Sequence, residues 1–309
     1  MHRPAKFEDV IGQEHVTKTL LNQIKSNQVA HAYLFCGTRG TGKTTVAKIF
    51  ARMVNDGKPN DLDIIELDAA SNNRVEDVRE LIEKVKYPPV SSKYKVYIVD
   101  EVHMFSASAF NAFLKTLEEP PSHVIFILAT TEPHKLPGTV LSRCLRFDFR
   151  AAGVQEIVKL LVKVLKKEGI IAEPEAIQLL AAAGQGSFRD ALSYAETAAG
   201  YEPTGITAQA VTKILGAVDP KILQSLFDAI KKPDVKAITD ITGKIFSVGR
   251  NFGAVIKDFL EITKNRYIAT QDKRIMEIYR AFSELEINIK WAQDAANMFE
   301  GVCLLCTTF

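Results

Sequence analysis

The chain has no uninterrupted apolar run near the roughly 18 residues that a membrane-spanning helix needs. Its first ten residues, MHRPAKFEDV, hold no apolar block of the kind that opens a secretory leader. Both absences lead to the expectation of a cytoplasmic protein with no membrane partner. Cysteine is scarce: Cys36, Cys144, Cys303 and Cys306 are the only four in 309 residues. They make no disulfide framework and no ligand set with structural-zinc spacing. Cys303 and Cys306 form a C-x-x-C, but inside the apolar stretch GVCLLCTTF and without a second pair. They read as small buried residues one helical turn apart. An excess of one charge is also missing. Lys and Arg number 39 against 37 Asp and Glu, a formal net charge of +2, which excludes a polyanion-binding surface spread over the whole molecule. Any nucleic-acid contact then belongs to a local patch. There is no internal repeat and no low-complexity tail.

What the chain does have is two textures. Up to about residue 150, short apolar and often β-branched runs (AYLF, DIIELDAA, KVYIVDE, VIFILATT, CLRFDF) alternate with helical patterns. Buried runs of this kind predict an α/β domain, a parallel sheet with flanking helices, over residues 1–150. Beyond it the pattern is helical throughout. GVQEIVKLLVKVLKKEG, PEAIQLLAAAGQG and FRDALSYAETAAG predict a small helical domain over 151–205. TAQAVTKILGAV, PKILQSLFDAIKK, PDVKAITDITGKIFSVG, FGAVIKDFLEITKNRYIA and INIKWAQDAANMFEGVCLLCTTF predict an all-α domain over 206–309.

The stretch GTRGTGKTT, directly after AYLF and directly before a helical pattern, fits G-x-x-x-x-G-K-[ST]. Gly37, Gly40 and Gly42 let the backbone turn tightly, and the N–H groups of Thr38, Arg39, Thr41 and Thr45 and their neighbours can then converge as an anion nest. The following helix adds its positive end. Lys43 is expected on the β- and γ-phosphates and Thr44 on Mg²⁺. Asp100 and Glu101 end a hydrophobic strand, where ligands bind in open α/β sheets. Asp100 is expected to hold Mg²⁺ and Glu101 to polarise a water. Thr130 and Thr131 end another strand and reach the phosphate site only if that strand lies beside Asp100's. Arg143 and Arg189 stand at helix and strand boundaries, and each reads equally well as a surface ion pair. His103 has no metal-ligand partner at useful spacing and reads as a structural or coupling residue. In ASNNRVEDVRELIEKVK, a capped amphipathic helix, Arg74 and Arg79 suit either a phosphate backbone or a solvated face.

Taken together, HAYLFCGTRGTGKTT, VYIVDEVHMFSASAFNAFLKTLEEPP, ATTEPHKLPGTVLSRCLRF and GSFRDAL resemble the gamma/tau subunits of bacterial DNA polymerase III clamp loaders, which are AAA+ P-loop ATPases. The resemblance runs over nearly the whole chain, and the Ser-Arg-Cys segment around Arg143 is its most specific part. It implies an AAA+ domain, a helical lid and a helical collar, assembled as a pentamer that uses ATP to open a sliding clamp and place it on primer-template DNA. It also assigns roles by position. Asp100 and Glu101 become the Walker B pair, and Thr131 the sensor 1 residue. Arg143 becomes an arginine finger acting on a neighbour's nucleotide, and Arg189 becomes sensor 2. Val10 and Ile11 flank adenine. Met104 and Phe105 are candidates for the clamp contact.

The chain also departs from that family. The segment ARMVNDGKPNDLDIIELDAAS carries no cysteine where the family has a four-cysteine zinc module, so no zinc is expected. Only HRP remains of a basic, aromatic N-terminal arm, and nothing matches the long tau tail. Competing readings are another AAA+ DNA motor, such as a branch-migration helicase, and a scaffold subunit without hydrolysis. The helical, charge-mixed last hundred residues speak against the first. The intact Lys43, Thr44, Asp100 and Glu101 speak against the second.

Overall fold

The computed structural model describes residues 3–57, 61–215, 218, 220–247, 252–292 and 294–309. Strands β1 (Ala32–Cys36), β2 (Ile64–Asp68), β3 (Lys95–Asp100), β4 (Val124–Thr130) and β5 (Leu145–Asp148) form one sheet in the order β2-β3-β4-β1-β5, with every pairing parallel. β1 and β4 are buried at every position and β3 at every position but Asp100. That is why these strands read as continuous apolar runs. Alternate side chains go to opposite faces. Tyr33, Phe35, Ile98 and Ile127 pack on one face with α1 (Glu14–Lys25) and α2 (Lys43–Met53). Leu34, Val99, Phe126 and Leu128 pack on the other with α3 (Val75–Val85), α4 (Ala107–Glu118) and α5 (Gly138–Leu141). The sheet order puts β4 between β1 and β3. The strand ends at Cys36, Asp100 and Thr130 therefore lie side by side at one edge of the sheet.

Three helices follow: α6 (Val154–Glu168), α7 (Pro174–Ala183) and α8 (Phe188–Tyr201). α6 starts where the Glu156 carboxylate accepts from Gly153 N at 2.8 Å and stops at Gly169, φ 70°. Contacts divide the chain into two compact units, Met1–Glu196 and Thr197–Phe309. The second unit holds α9 (Ala208–Leu215), α10 (Pro220–Lys231), α11 (Val235–Ser247), α12 (Phe252–Thr270), α13 (Lys273–Asn288) and α14 (Ala295–Leu305). Its core is built on Phe259, Phe282 and Phe299; the first two rings lie 4.4 Å apart and the last two 5.8 Å. Cys303 and Cys306 are fully buried there, as their spacing suggested.

The helical expectation needs two corrections in this unit. α13 was not anticipated, although Ile275, Ile278, Phe282 and Leu285 carry its buried stripe. The expected helical run over 287–309 is interrupted. It restarts only at Ala295, where the Asp294 carboxylate accepts from Asn297 N at 3.0 Å and caps α14. Val248 and Gly249, the expected end of α11, and His2 of the N-terminal HRP lie outside the described residues. Among the described residues no helix is long and apolar enough to cross a membrane.

Candidate nucleotide-binding site

The loop between β1 and α2 takes its shape from its glycines. Gly37, Gly40 and Gly42 have φ of 152°, 77° and 100°, all in the region that side chains avoid. Gly37 N donates to Thr130 O at 3.2 Å, which ties the loop to β4. Gly40 has a second reason to lack a Cβ. Its O accepts from Phe188 N at 3.0 Å, and a Cβ would collide with the Ser187 hydroxyl and stand 3.4 Å from Arg189 Cβ. The start of α8 thus rests on the loop, with the stem of Arg189 beside it. The Thr41 hydroxyl closes the turn on Thr38 O at 2.9 Å. Thr38 and Arg39 are exposed, while Thr44 and Thr45 are half-buried in the first turn of α2.

Lys43 is a buried side chain. It is the first residue of α2 and only 6% exposed. Its Nζ donates to Gly37 O at 2.8 Å and Thr38 O at 2.9 Å, spanning the loop from inside. Burial holds its ammonium below the usual lysine range, and the Glu101 and Asp100 carboxylates pull the other way.

The Thr44 hydroxyl donates to Asp100 Oδ2 at 2.7 Å, so the two expected Mg²⁺ ligands meet although 56 residues separate them. Two hard oxygen donors at the carboxyl edge of the sheet fit a divalent cation. Glu101 has a left-handed backbone, φ 48°, unusual for a side-chain-bearing residue, with its N held by Asp100 Oδ1 at 3.0 Å. Because β4 does pair with β3, Thr131 reaches Glu101. Its N and Oγ1 donate to Glu101 Oε2 at 3.3 and 3.0 Å. Thr130 is fully buried, and its hydroxyl instead meets His103 Nδ1 at 3.0 Å and Glu132 N at 3.0 Å.

Arg143 lies elsewhere, between α5 and β5. Its guanidinium donates to Glu118 Oε1 at 2.6 Å, Thr139 O at 2.8 Å and Ser142 Oγ at 3.4 Å. Val10 and Ile11 are half-buried after a short 3-10 turn, Phe7–Asp9. Their segment is anchored by Gln13, whose amide brackets the backbone of Arg150 with bonds of 2.8 and 3.2 Å. Phe149, next in the chain to Arg150, presses on Gly37, so both segments are set by one turn. Phe105 cannot offer a docking surface. It is 5% exposed and packs edge-on against Phe110, ring centres 5.7 Å apart, whereas Met104 is 44% exposed. Arg74, the residue just before α3, and Arg79, on that helix, are both exposed.

Comparison with known proteins agrees with this geometry. A family model described as DNA polymerase III, delta subunit, matches residues 12–64 and 52–153. One for the ATPase lid domain of the DNA polymerase III clamp loader subunit matches 156–200, and one for DNA polymerase III subunits gamma and tau domain III matches 206–296. The DNA polymerase III subunit tau of Bacillus subtilis is 43% identical over 84% of this chain and 49% of its own length. The Escherichia coli subunit tau is 42% identical over 84% of this chain and 43% of its own length. The chain therefore spans about half, or less, of these two relatives. The subunit gamma of Buchnera aphidicola subsp. Acyrthosiphon pisum is 38% identical over 84% of this chain and 76% of its own length. Among solved structures, the RuvB Holliday junction branch migration motor of Thermotoga maritima superposes with a TM-score of 0.58, covering 79% of this chain and 85% of that one. At 18% identity that likeness shows the AAA+ fold alone.

Proposed function

Since the chain belongs to the gamma and tau subunit family of DNA polymerase III, we propose that it is an ATP-hydrolysing motor subunit of a sliding-clamp loader. In this reading it assembles with other loader subunits as a pentamer, binds and opens the clamp, and places it on primer-template DNA. Residues 1–150 form the nucleotide domain, 151–205 the lid and 206–309 the collar. The observation that carries the reading is the meeting of Thr44 and Asp100 at 2.7 Å beside a loop whose glycines suit phosphate. Thr44 and Asp100 would hold Mg²⁺, which supplies positive charge to the phosphate oxygens when bound. The loop from Gly37 to Thr45 cradles phosphate, and Lys43 exchanges its carbonyl partners for phosphate oxygens. Glu101 takes a proton from the attacking water, and Thr131 aligns Glu101 with the γ-phosphate. Arg189 reaches the nucleotide from α8, and Val10 and Ile11 flank the base. Arg143 serves the neighbouring subunit's site. Met104 joins the clamp contact.

The test is ATP turnover with and without a sliding clamp and primed DNA. Turnover is expected to rise with both together. The DNA part should weaken steeply with salt and show little sequence preference, because a loader must work at any primer end and contacts phosphates. Each phosphate contact adds about 0.9 to the log–log salt slope. Strong discrimination between duplexes of equal length and shape, or no stimulation at all, overturns the reading.

The protein is also expected to purify without stoichiometric zinc. A cysteine that ligates zinc does so as the thiolate. Burial pushes the Cys144 and Cys306 thiols up to about 12, and that of Cys303 well above the usual range. Metal analysis finding about one zinc per chain would remove this expectation.

A further inference from the structure

We infer that the outer face of α6, with Lys6 beside it, is a contact surface for the phosphate backbone of duplex DNA. The inference deepens the proposed DNA placement and rests on it, because it names a surface that the duplex would meet. Lys159, Lys163, Lys166 and Lys167 stand at i, i+4, i+7 and i+8 of α6. At 3.6 residues per turn they fall within an arc of about 100°, opposite the buried stripe of Ile157, Leu161 and Leu165. All four are exposed, as is Lys6. The acids of α6 lie at its margins. Glu156, in the first turn, accepts from Gly153 N at 2.8 Å, and Glu168 is a helical step of about 100° beyond Lys167. Asp9 is the acid within the patch, and it accepts from Lys163 Nζ at 2.6 Å. Lys163, and then Lys6 and Lys167, hold its carboxyl below the usual carboxylate range. That shared influence places Lys6 with the lysines of α6.

Helix stability does not ask for this arrangement. Elsewhere surface lysines take an acid three or four residues away, as in Lys84–Glu80 at 2.6 Å and Lys86–Glu83 at 2.7 Å. On α6 the neighbours at those spacings are other lysines, and like charges there oppose the helix. Among the described residues, Lys159, Lys166 and Lys167 make no ion pair. Attraction to the negative end of the helix accounts for Lys166 and Lys167 in the last turn, but not for Lys159 and Lys163 before it. The apolar stripe of α6 is already buried in the fold, so the helix has no face to lay into a membrane. The cores of protein–protein interfaces are poor in lysine and rich in arginine and aromatic rings, and α6 has neither of the latter. A phosphate backbone fits better. From Lys159 to Lys167 the helix rises about 12 Å, and over that length one strand of B-DNA presents about three to four phosphates. Lysine meets phosphate as a point charge and reads no base, which is what contact at any primer end requires.

The test titrates the full chain with a labelled duplex of about 20 base pairs, from about 50 to 200 mM salt. The triple variant Lys159→Gln, Lys163→Gln, Lys167→Gln is expected to lower the log–log salt slope by about 0.9 for each lysine that meets a phosphate. Its affinity should fall by at least about tenfold at 0.1 M salt, equally for every duplex sequence. Asp9→Asn, which removes the acid within the patch, should raise affinity by up to about fivefold. Basal ATP turnover without DNA should stay at the wild-type value in both variants. Glutamine keeps helix propensity close to that of lysine, and melting curves check that the variants fold. A control triple, Lys236→Gln, Lys257→Gln, Lys264→Gln, removes the same charge from exposed positions elsewhere and should change affinity by less than about twofold. Unchanged slope and affinity in the α6 triple, an equal loss in the control, or a wild-type chain that leaves the duplex free at about 50 mM salt overturns the inference. So does loss of poly-glutamate binding by the α6 triple with duplex binding intact, which would make the face a protein dock. If the wild type shows no turnover stimulated by clamp and primed DNA, the loader reading fails instead, and the duplex titration still decides the inference on its own.

Discussion

Lys43→Met is expected to lower ATP affinity by about 30- to 5,000-fold while the chain remains folded. The side chain is buried, so the size of the replacement matters. Alanine would leave a cavity and free two carbonyls at once, and a loss of binding could then reflect a collapsed loop. Methionine fills nearly the same volume and removes only the charge and the donor. The carbonyls of Gly37 and Thr38 lose their bonds at 2.8 and 2.9 Å, which costs about 1–3 kcal/mol of loop stability if water does not replace them. Nucleotide binding loses more. A buried ammonium paired with phosphate is a charge-assisted contact, and truncating one partner of such a pair costs about 2–5 kcal/mol, the upper part of which exceeds 100-fold in affinity. The buried position also explains the low ammonium pKa. Desolvation opposes the charge, and an incoming polyphosphate supplies the compensation that two carboxylates only partly give. Calorimetric titration of ATP, with a melting curve on the same sample, checks both halves. Unchanged affinity in a folded variant would remove Lys43 from the phosphate site.

The parts of this site that were legible in the sequence are those whose chemistry is local. Gly37, Gly42, Lys43 and Thr44 sit within one loop, and Asp100 and Glu101 are adjacent, so spacing alone shows them. The sheet was legible for a similar reason, since each central strand is buried on both faces and leaves an unbroken apolar run. What spacing does not show is which strand lies beside which. Thr131 rather than Thr130 faces Glu101 because β4 pairs with β3 in the register Val99 to Leu128. The 3.1 Å contact of His103 Nε2 with Glu132 Oε2 depends on that same pairing and was out of reach. Gly40 looked like one more flexible loop residue, yet its lack of a side chain is fixed by Ser187, nearly 150 residues away. Phe105 was a candidate for the clamp contact through the family resemblance alone, and its ring belongs to the core beneath α4. α13 is the omission with a readable signal. Its apolar residues keep helical spacing from Ile275 to Leu285, and its many charged neighbours obscured them.

Arg143→Ala is expected to leave ATP binding by the isolated chain intact and to reduce stimulated hydrolysis in the assembled loader by roughly 10³ to 10⁵. Phosphoryl transfer spreads charge over the γ-phosphate oxygens, and a guanidinium placed there is worth that much. Within the chain, the guanidinium is bound to Glu118 at 2.6 Å and to Thr139 O at 2.8 Å, away from Lys43 and Thr44. Those bonds do not commit it. The Arg143–Glu118 pair is partly exposed, 33% and 47% for the two side chains, and pairs of this kind contribute about 0–1 kcal/mol. A neighbour's phosphate, doubly charged and able to accept two parallel N–H bonds, outcompetes a single exposed carboxylate. Exchange of partner would therefore cost little, and the Glu118 pair does not bar the expected action on a neighbour's nucleotide. Mixing supplies the sharper evidence. Arg143→Ala chains keep an intact loop, and Lys43→Met chains keep an intact finger. An assembly holding both can place a whole site between them, so mixtures should recover activity that neither parent has. Mixtures as inactive as the parents, with exchange of labelled subunits demonstrated, would count against action in trans. Loss of ATP binding by the lone Arg143→Ala chain would place Arg143 in its own subunit's site.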